Sequence, residues 1–187
     1  MHSITRRATL GATLAAAAAG LIVNRVRAAE PVRAWDFKFA SIDDGALDFA
    51  DYKGKILLVV NTASFCGFTY QYEGLEKLHA ALKDKGVEVI GCPSEDFGQE
   101  SAANGTIKDF CEATFGVKFP MTGLLHVKGP QADPFYKWVK ADRDGWEPSW
   151  NFNKVLIGRD GLIAGTFGSF DEPGGRTLTK AISKVMA

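Results

Sequence analysis

Three cysteines carry the side chains best suited to chemistry in this chain: Cys66, Cys92 and Cys111. Their spacing makes neither a CxxC pair nor a zinc-ligand set, and three thiols allow at most one intramolecular disulfide. Cys66 has the most telling surroundings. It lies in Asn61-Thr62-Ala63-Ser64-Phe65-Cys66-Gly67-Phe68-Thr69, a tight Ser/Gly loop after an apolar run and just before a helical pattern. Outward-pointing backbone N–H groups and a helix dipole favour a thiolate there, which is the nucleophilic form of the residue. The competing reading makes Cys66 a small buried apolar residue. A dithiol exchanger would place its second cysteine three positions on, where Thr69 stands. A site with one cysteine suits attack on an external electrophile such as a peroxide. His2, His79 and His126 add neither a base nor a metal site to this arrangement, and the last two are expected to be structural, His126 within a strand-like run.

The elements that must position these residues are legible in the apolar pattern. Ile56–Thr62 is a continuous β-branched run, the mark of a central strand buried on both faces. Leu75, Leu78 and Leu82 recur at helical spacing between Thr69 and Lys85, with Gly86 as a stop. Val87–Gly91 reads as a second strand ended by Pro93, and Asn104–Thr114 as a helix with Ile107, Phe110 and Cys111 on one side. Lys154–Ala164 reads as a hairpin turning at Asp160-Gly161, and Gly175–Val185 as a closing helix. This order predicts an α/β domain of thioredoxin-like fold, its mixed central sheet covered by helices on both faces.

Composition narrows the function classes. The 187 residues are 46% hydrophobic and 24% charged, with 22 basic against 22 acidic side chains, enough to bury a core in one domain. No basic block is present to neutralise phosphates, so no nucleic-acid partner is expected. The first residues differ from the rest. Arg6 and Arg7 precede a charge-free, alanine-rich run over Ala8–Val23, and Val26-Arg27-Ala28 offers small residues to a signal peptidase. Thr5-Arg6-Arg7-Ala8-Thr9-Leu10 resembles a bacterial twin-arginine export signal, with Thr9 where a bulky aromatic is usual; an ordinary secretion signal or an uncleaved anchor is the alternative. The expected organisation is a signal over 1–28, a single domain over 29–187, and a periplasmic product without a membrane span. Cleavage removes four of the 22 basic residues, leaving 18 against 22 acidic.

The cysteine loop also resembles the active-site signature of the glutathione peroxidase family. The likeness continues through Gly91–Glu100, Ile107–Cys111, Val117–Pro120 and Trp150–Lys154, in the family order over nearly the whole of 29–187. The resemblance implies reduction of hydrogen peroxide and organic or lipid hydroperoxides by thiols, with Cys66 as the peroxidatic residue and no metal, haem or flavin. Trp150 and Asn151 match the family's tryptophan and asparagine, whose N–H groups would hold the thiolate and the leaving oxygen. The resemblance puts the family's glutamine at position 96, occupied here by Asp96, which it leaves either protonated, a proton acceptor, or turned away. Cys111 stands where thioredoxin-dependent members carry a resolving cysteine, with Cys92 as rival. The implied reductant is a thioredoxin-like protein rather than glutathione. The short connection between Lys140 and Trp150 implies a monomer with an open site able to admit bulky hydroperoxides, and Phe65 and Phe68 are expected either as exposed apolar neighbours of Cys66 or as core residues. A thioredoxin-like disulfide reductase or redox relay is the second function class.

Overall fold

A computed structural model describes residues 30–187; the signal segment read over 1–28 lies outside the described residues. The chain opens with a hairpin, β1 (Lys38–Ala40) and β2 (Ala46–Asp48), followed by β3 (Ile56–Thr62), α1 (Gln71–Leu82) and β4 (Val87–Pro93). Then come α2 (Asn104–Phe115), α3 (Pro134–Asp142), β5 (Lys154–Ile157), β6 (Ile163–Phe167) and α4 (Arg176–Met186). Four strands form one mixed sheet in the order β4-β3-β5-β6: β3 pairs parallel with β4 across the α1 crossover, and β5 runs antiparallel to both β3 and β6. Every residue of β3 and of β4 is buried.

Strand alternation sends side chains into two cores. Leu58 and Val60 of β3, Val89 of β4 and Leu156 of β5 meet Tyr72 and Leu75 of α1, Ile107 and Cys111 of α2, and Leu178 of α4. Leu57 and Val59, Ile90 and Cys92, and Val155 and Ile157 point the other way, toward Phe135, Tyr136 and Val139 of α3 and Phe39 of the β1–β2 hairpin. Both faces are covered, as the pattern requires of a sheet buried on both sides.

The predicted strands and helices fall within three residues of their observed ends. Gly86 takes the left-handed conformation (φ +82°) that stops the segment after α1, where a residue with a Cβ would be strained. Three features differ from the sequence reading. The helix α3 and the β1–β2 hairpin were not anticipated, and His126 lies in a loop rather than a strand: only isolated bridges, Ser41 with Thr122 and Gly91 with Met121, occur nearby. Asp133 caps α3 by accepting a hydrogen bond from Phe135 N at 2.9 Å, with Pro134 in the first turn. Among the described residues, no helix is long and apolar enough to cross a membrane.

Candidate active site

Cys66 lies in the turn between β3 and α1 and is 5% exposed. Its Sγ accepts a hydrogen bond from Phe68 N at 3.5 Å, and its carbonyl accepts one from Thr69 N at 3.1 Å. Further turns, Gln71 N to Phe68 O and Tyr72 N to Thr69 O, lead into α1. The helix begins five residues past the cysteine, so its nearest backbone support is a turn N–H rather than the first turn of α1. Phe65 beside it is 66% exposed and Phe68 is half-buried against the ring of Phe170.

Two segments are fastened to this loop. The first runs from Ser94 to Ser101. Phe65 N donates to Gln99 O at 2.9 Å, and Ser64 N donates to the Glu100 carboxylate at 3.1 Å. The second is the turn Trp150–Asn153, held by Asn61 at the end of β3. The Asn61 Nδ2 donates to Trp150 O (3.0 Å), its Oδ1 accepts from Asn153 N (3.0 Å), and its carbonyl accepts from Phe152 N (2.6 Å). This clamp fixes Phe152 at φ +59°, a left-handed conformation unusual for a bulky residue, beside the fully buried Asn151. The two segments meet where Asn151 Nδ2 donates to Gln99 Oε1 at 2.9 Å. Ser169 Oγ donates to Asn151 O at 2.7 Å and accepts from Asn153 Nδ2 at 2.9 Å. Trp150 stays 40% exposed, its ring 5.3 Å from that of Phe97.

Cys66, Trp150 and Asn151 are thus gathered on one end of the sheet, and Asp96 is not part of that group. One Asp96 oxygen is 2.6 Å from His126 Nδ1; the other accepts from Val127 N (2.6 Å) and Lys128 N (3.2 Å). Burial pushes the carboxyl upward, but the His126 contact and the Val127 and Lys128 N–H groups outweigh it and hold the group below its ordinary range. Asp96 is therefore an ionised anchor for the 126–128 loop, neither protonated nor positioned to accept a proton from Cys66. The amide at the asparagine is Gln99, three residues on. Gln99 was visible in the Gly98-Gln99-Glu100 motif; its side-chain bond to Asn151 became apparent only in three dimensions.

The other two cysteines part company. Cys111 is buried on the inner side of α2, in the same core as Cys66. Cys92, on β4, points into the opposite core among Val127 and Tyr136. Burial pushes the Cys92 thiol up to about 12 and the Cys111 thiol up to about 11, in each case against a weaker opposing contribution from a neighbouring tyrosine. All three are free thiols in this structure. Among the described residues no group of His, Cys, Asp or Glu could hold a metal ion.

A cysteine at the strand-to-helix turn of a mixed sheet, with an indole and two amides on the segments fastened to its loop, is the arrangement of a thiol-dependent oxidoreductase of thioredoxin-like fold. A glutathione peroxidase family model matches residues 34–140, and the chain belongs to that family. It is 41% identical over 143 residues to a glutathione peroxidase of Lactococcus lactis subsp. cremoris, covering 74% of this chain and 91% of that one. It is 39% identical over 149 residues to the hydroperoxy fatty acid reductase gpx1 of Synechocystis, covering 74% and 88%. The apo crystal structure of Trgpx superposes with a TM-score of 0.66 at 36% identity, over 83% of this chain and 97% of that one. A thioredoxin-family thiol:disulfide interchange protein of Chlorobium tepidum shares the fold at 16% identity (TM-score 0.61).

Proposed function

We propose that this protein reduces hydrogen peroxide and organic hydroperoxides through a Cys66 thiolate, with Gln99, Trp150 and Asn151 as the groups that hold the reacting oxygens. The observation that carries the reading is the Asn151–Gln99 bond, which ties the two segments flanking the Cys66 loop into one polar frame. Attack by the Cys66 sulfur on one peroxide oxygen breaks the O–O bond; the departing oxygen takes a proton and leaves as water or alcohol, and Cys66 becomes a sulfenic acid. Asn151 spends one Nδ2 proton on Gln99 and keeps the second for the leaving oxygen. The exposed indole of Trp150 offers a further donor.

Cys111 then resolves the sulfenic acid. It shares a core with Cys66, whereas Cys92 is separated from both by the sheet. A disulfide requires Cα atoms about 5.5–6 Å apart, so α2 opens locally to deliver it. That helix is suited to opening. Its cap position, Ala103, supplies no side-chain hydrogen bond, Gly105 sits in its first turn, and Ile107 and Cys111 are its two fully buried residues. The disulfide is reduced by a thioredoxin-like protein in preference to glutathione, and the enzyme works as a monomer. The Arg6-Arg7 segment exports it to the periplasm.

Peptide mapping after one equivalent of peroxide tests the cycle, with turnover assays of the mature protein against glutathione and a thioredoxin system side by side. A Cys66–Cys111 peptide and thioredoxin-dependent turnover are expected; a Cys66–Cys92 peptide, or sulfinic Cys66 alone, overturns the resolving assignment. Export is tested by replacing Arg6 and Arg7 with lysine, which is expected to retain the uncleaved precursor in the cytoplasm.

A further inference from the structure

Lys154 is a buried charge that the chemistry above does not use. It opens β5, pairs with Val60 of β3 and Phe167 of β6, and shares the parity of Leu156, so its side chain enters the core that also holds Cys66. It is fully buried, and it forms no ion pair among the described residues. The two acidic groups that act on it are engaged elsewhere: Asp171 Oδ2 accepts from Gly168 N at 2.9 Å, and Glu172 Oε1 accepts from Tyr70 OH at 2.9 Å. The ammonium donates instead to two neutral oxygens, Gln71 Oε1 at 2.7 Å and Gly168 O at 3.5 Å. A charge taken out of water against neutral acceptors costs stability that an apolar side chain of similar length would not.

What the ammonium supplies in return is direction. It has three donors and no acceptor, so the Gln71 amide must turn its oxygen toward Lys154 and its nitrogen away. That nitrogen donates to Ser169 O at 2.6 Å. Ser169 Oγ in turn donates to Asn151 O at 2.7 Å and accepts from Asn153 Nδ2 at 2.9 Å. Gln71, Ser169, Asn151 and Asn153 are all buried, so each bond depends on the one before it rather than on solvent. Asn61 grips Trp150, Phe152 and Asn153, the residues around Asn151, whereas Ser169 grips Asn151 itself. The Asn151 side chain has a bond at Nδ2, to Gln99, and none at Oδ1, so its aim depends on where its backbone is held.

We propose that Lys154 is a positioning residue for the peroxide reaction: through Gln71 and Ser169 it fixes the carbonyl of Asn151, and with it the aim of the Asn151 N–H at the leaving oxygen. The proposal rests on the reading that Cys66 attacks peroxide with Asn151 serving that oxygen, and Lys154 touches no reacting atom.

The test compares two reactions of the same sulfur in the full protein at pH 7, where Lys154, at about 8, is charged. One is stopped-flow reaction with hydrogen peroxide; the other is alkylation by iodoacetamide, whose iodide leaves without an N–H donor. The variants are Lys154→Met, Gln71→Glu, Asn151→Ala, and Lys154→Met combined with Asn151→Ala. Gln71→Glu keeps an acceptor for the ammonium but removes the donor to Ser169 O. Lys154→Met and Gln71→Glu are each expected to slow the peroxide reaction about tenfold, short of the roughly 10²- to 10³-fold loss when an oxyanion donor is removed outright, with alkylation within about twofold of the parent. Lys154→Met is expected to lose this rate while gaining stability, a combination that a merely structural residue would not give. Added to Asn151→Ala, Lys154→Met is expected to change the peroxide rate by less than about twofold. A parental peroxide rate in either Lys154→Met or Gln71→Glu overturns the proposal, as does equal slowing of both reactions, which reports a disturbed Cys66 loop. A full tenfold loss on the Asn151→Ala background overturns the route through Asn151. If Asn151→Ala alone reacts with peroxide at the parental rate, the reading of Asn151 fails instead, and that result is distinguishable from the others.

Discussion

Replacing Gln99 by alanine separates the observed geometry from the alternative built on Asp96. The substitution removes the acceptor 2.9 Å from Asn151 Nδ2 and leaves the fully buried Asn151 side chain without a partner at either end, since its Oδ1 already lacks one. A neutral hydrogen bond contributes about 1 kcal/mol net, and stranding a buried donor costs about 1–3 kcal/mol. The folded protein is expected to lose about 2 kcal/mol. If the same amount is lost from the transition state, where Asn151 must point at the leaving oxygen, sulfenic acid formation slows by roughly 30-fold. Pseudo-first-order stopped-flow mixing with excess peroxide measures that step alone, using Trp150 emission as the signal, and urea denaturation measures the stability. Asp96→Ala is the control. It frees the 126–128 loop and is expected to slow the same step by less than about threefold, since each factor of ten requires about 1.4 kcal/mol of transition-state contact. A larger rate loss in Asp96→Ala than in Gln99→Ala would refute the placement of the site.

Other outcomes follow from the same contacts. Asp96→Asn is expected to lower stability by about 1 kcal/mol at pH 7, as hydrogen bonds to a charged group weaken. The folded carboxyl lies below its unfolded value, so its stabilisation is present above that value and fades as pH falls through the folded one; urea midpoints of parent and variant should converge in acid. Asn61→Ala removes both side-chain ties to the Trp150–Asn153 turn and is expected to cost about 2–3 kcal/mol with a loss of ordered Trp150 fluorescence, read by urea denaturation and emission anisotropy. Lys154 is fully buried, donates to Gln71 Oε1 at 2.7 Å, and burial brings its ammonium down to about 8. Because the unfolded lysine titrates near 10.4, the unfolded chain binds more protons between those values and stability rises with pH across that window, with the full penalty present below it. Lys154→Met should abolish that rise and be about 1–2 kcal/mol more stable at pH 7, after allowing for the stranded Gln71 oxygen; a variant less stable at pH 7 with the slope intact refutes the reading.

The sheet and three of its helices were readable because their signals are local. Ile56–Thr62 has no polar interruption before its end, and Gly86 marks a stop that needs positive φ. The helix α3 escaped although Asp133-Pro134 is a start signal, because its nine residues show only Phe135, Tyr136 and Val139 inward, too few to mark a period. At the site, Cys66 and the Trp150-Asn151 pair stand in two local motifs, and Asn61 at the end of β3 ties the second to the strand that leads into the first. The assignment of position 96 failed for a different reason. Asp96 and Gln99 lie within one short loop, and which side chain turns toward Asn151 is decided by bonds to residues about 30 and 50 positions away, His126 and Val127 for one and Asn151 for the other. No spacing within Ser94–Ser101 contains that information.

The parity of one strand goes far toward dividing the work among the cysteines. Successive residues of a strand face opposite sides, so Cys92 on β4 points away from Val89 and Gly91, which line the core that holds Cys66 and Cys111. To reach Cys66, Cys92 would have to leave a fully buried strand that is paired along its whole length with β3, which means breaking the sheet. Cys111 needs only the opening of one helix, whose N-cap offers no side-chain hydrogen bond and which has two fully buried residues. Local opening costs range from near zero up to the global unfolding energy according to how much packing is broken, and the two routes stand at opposite ends of that range.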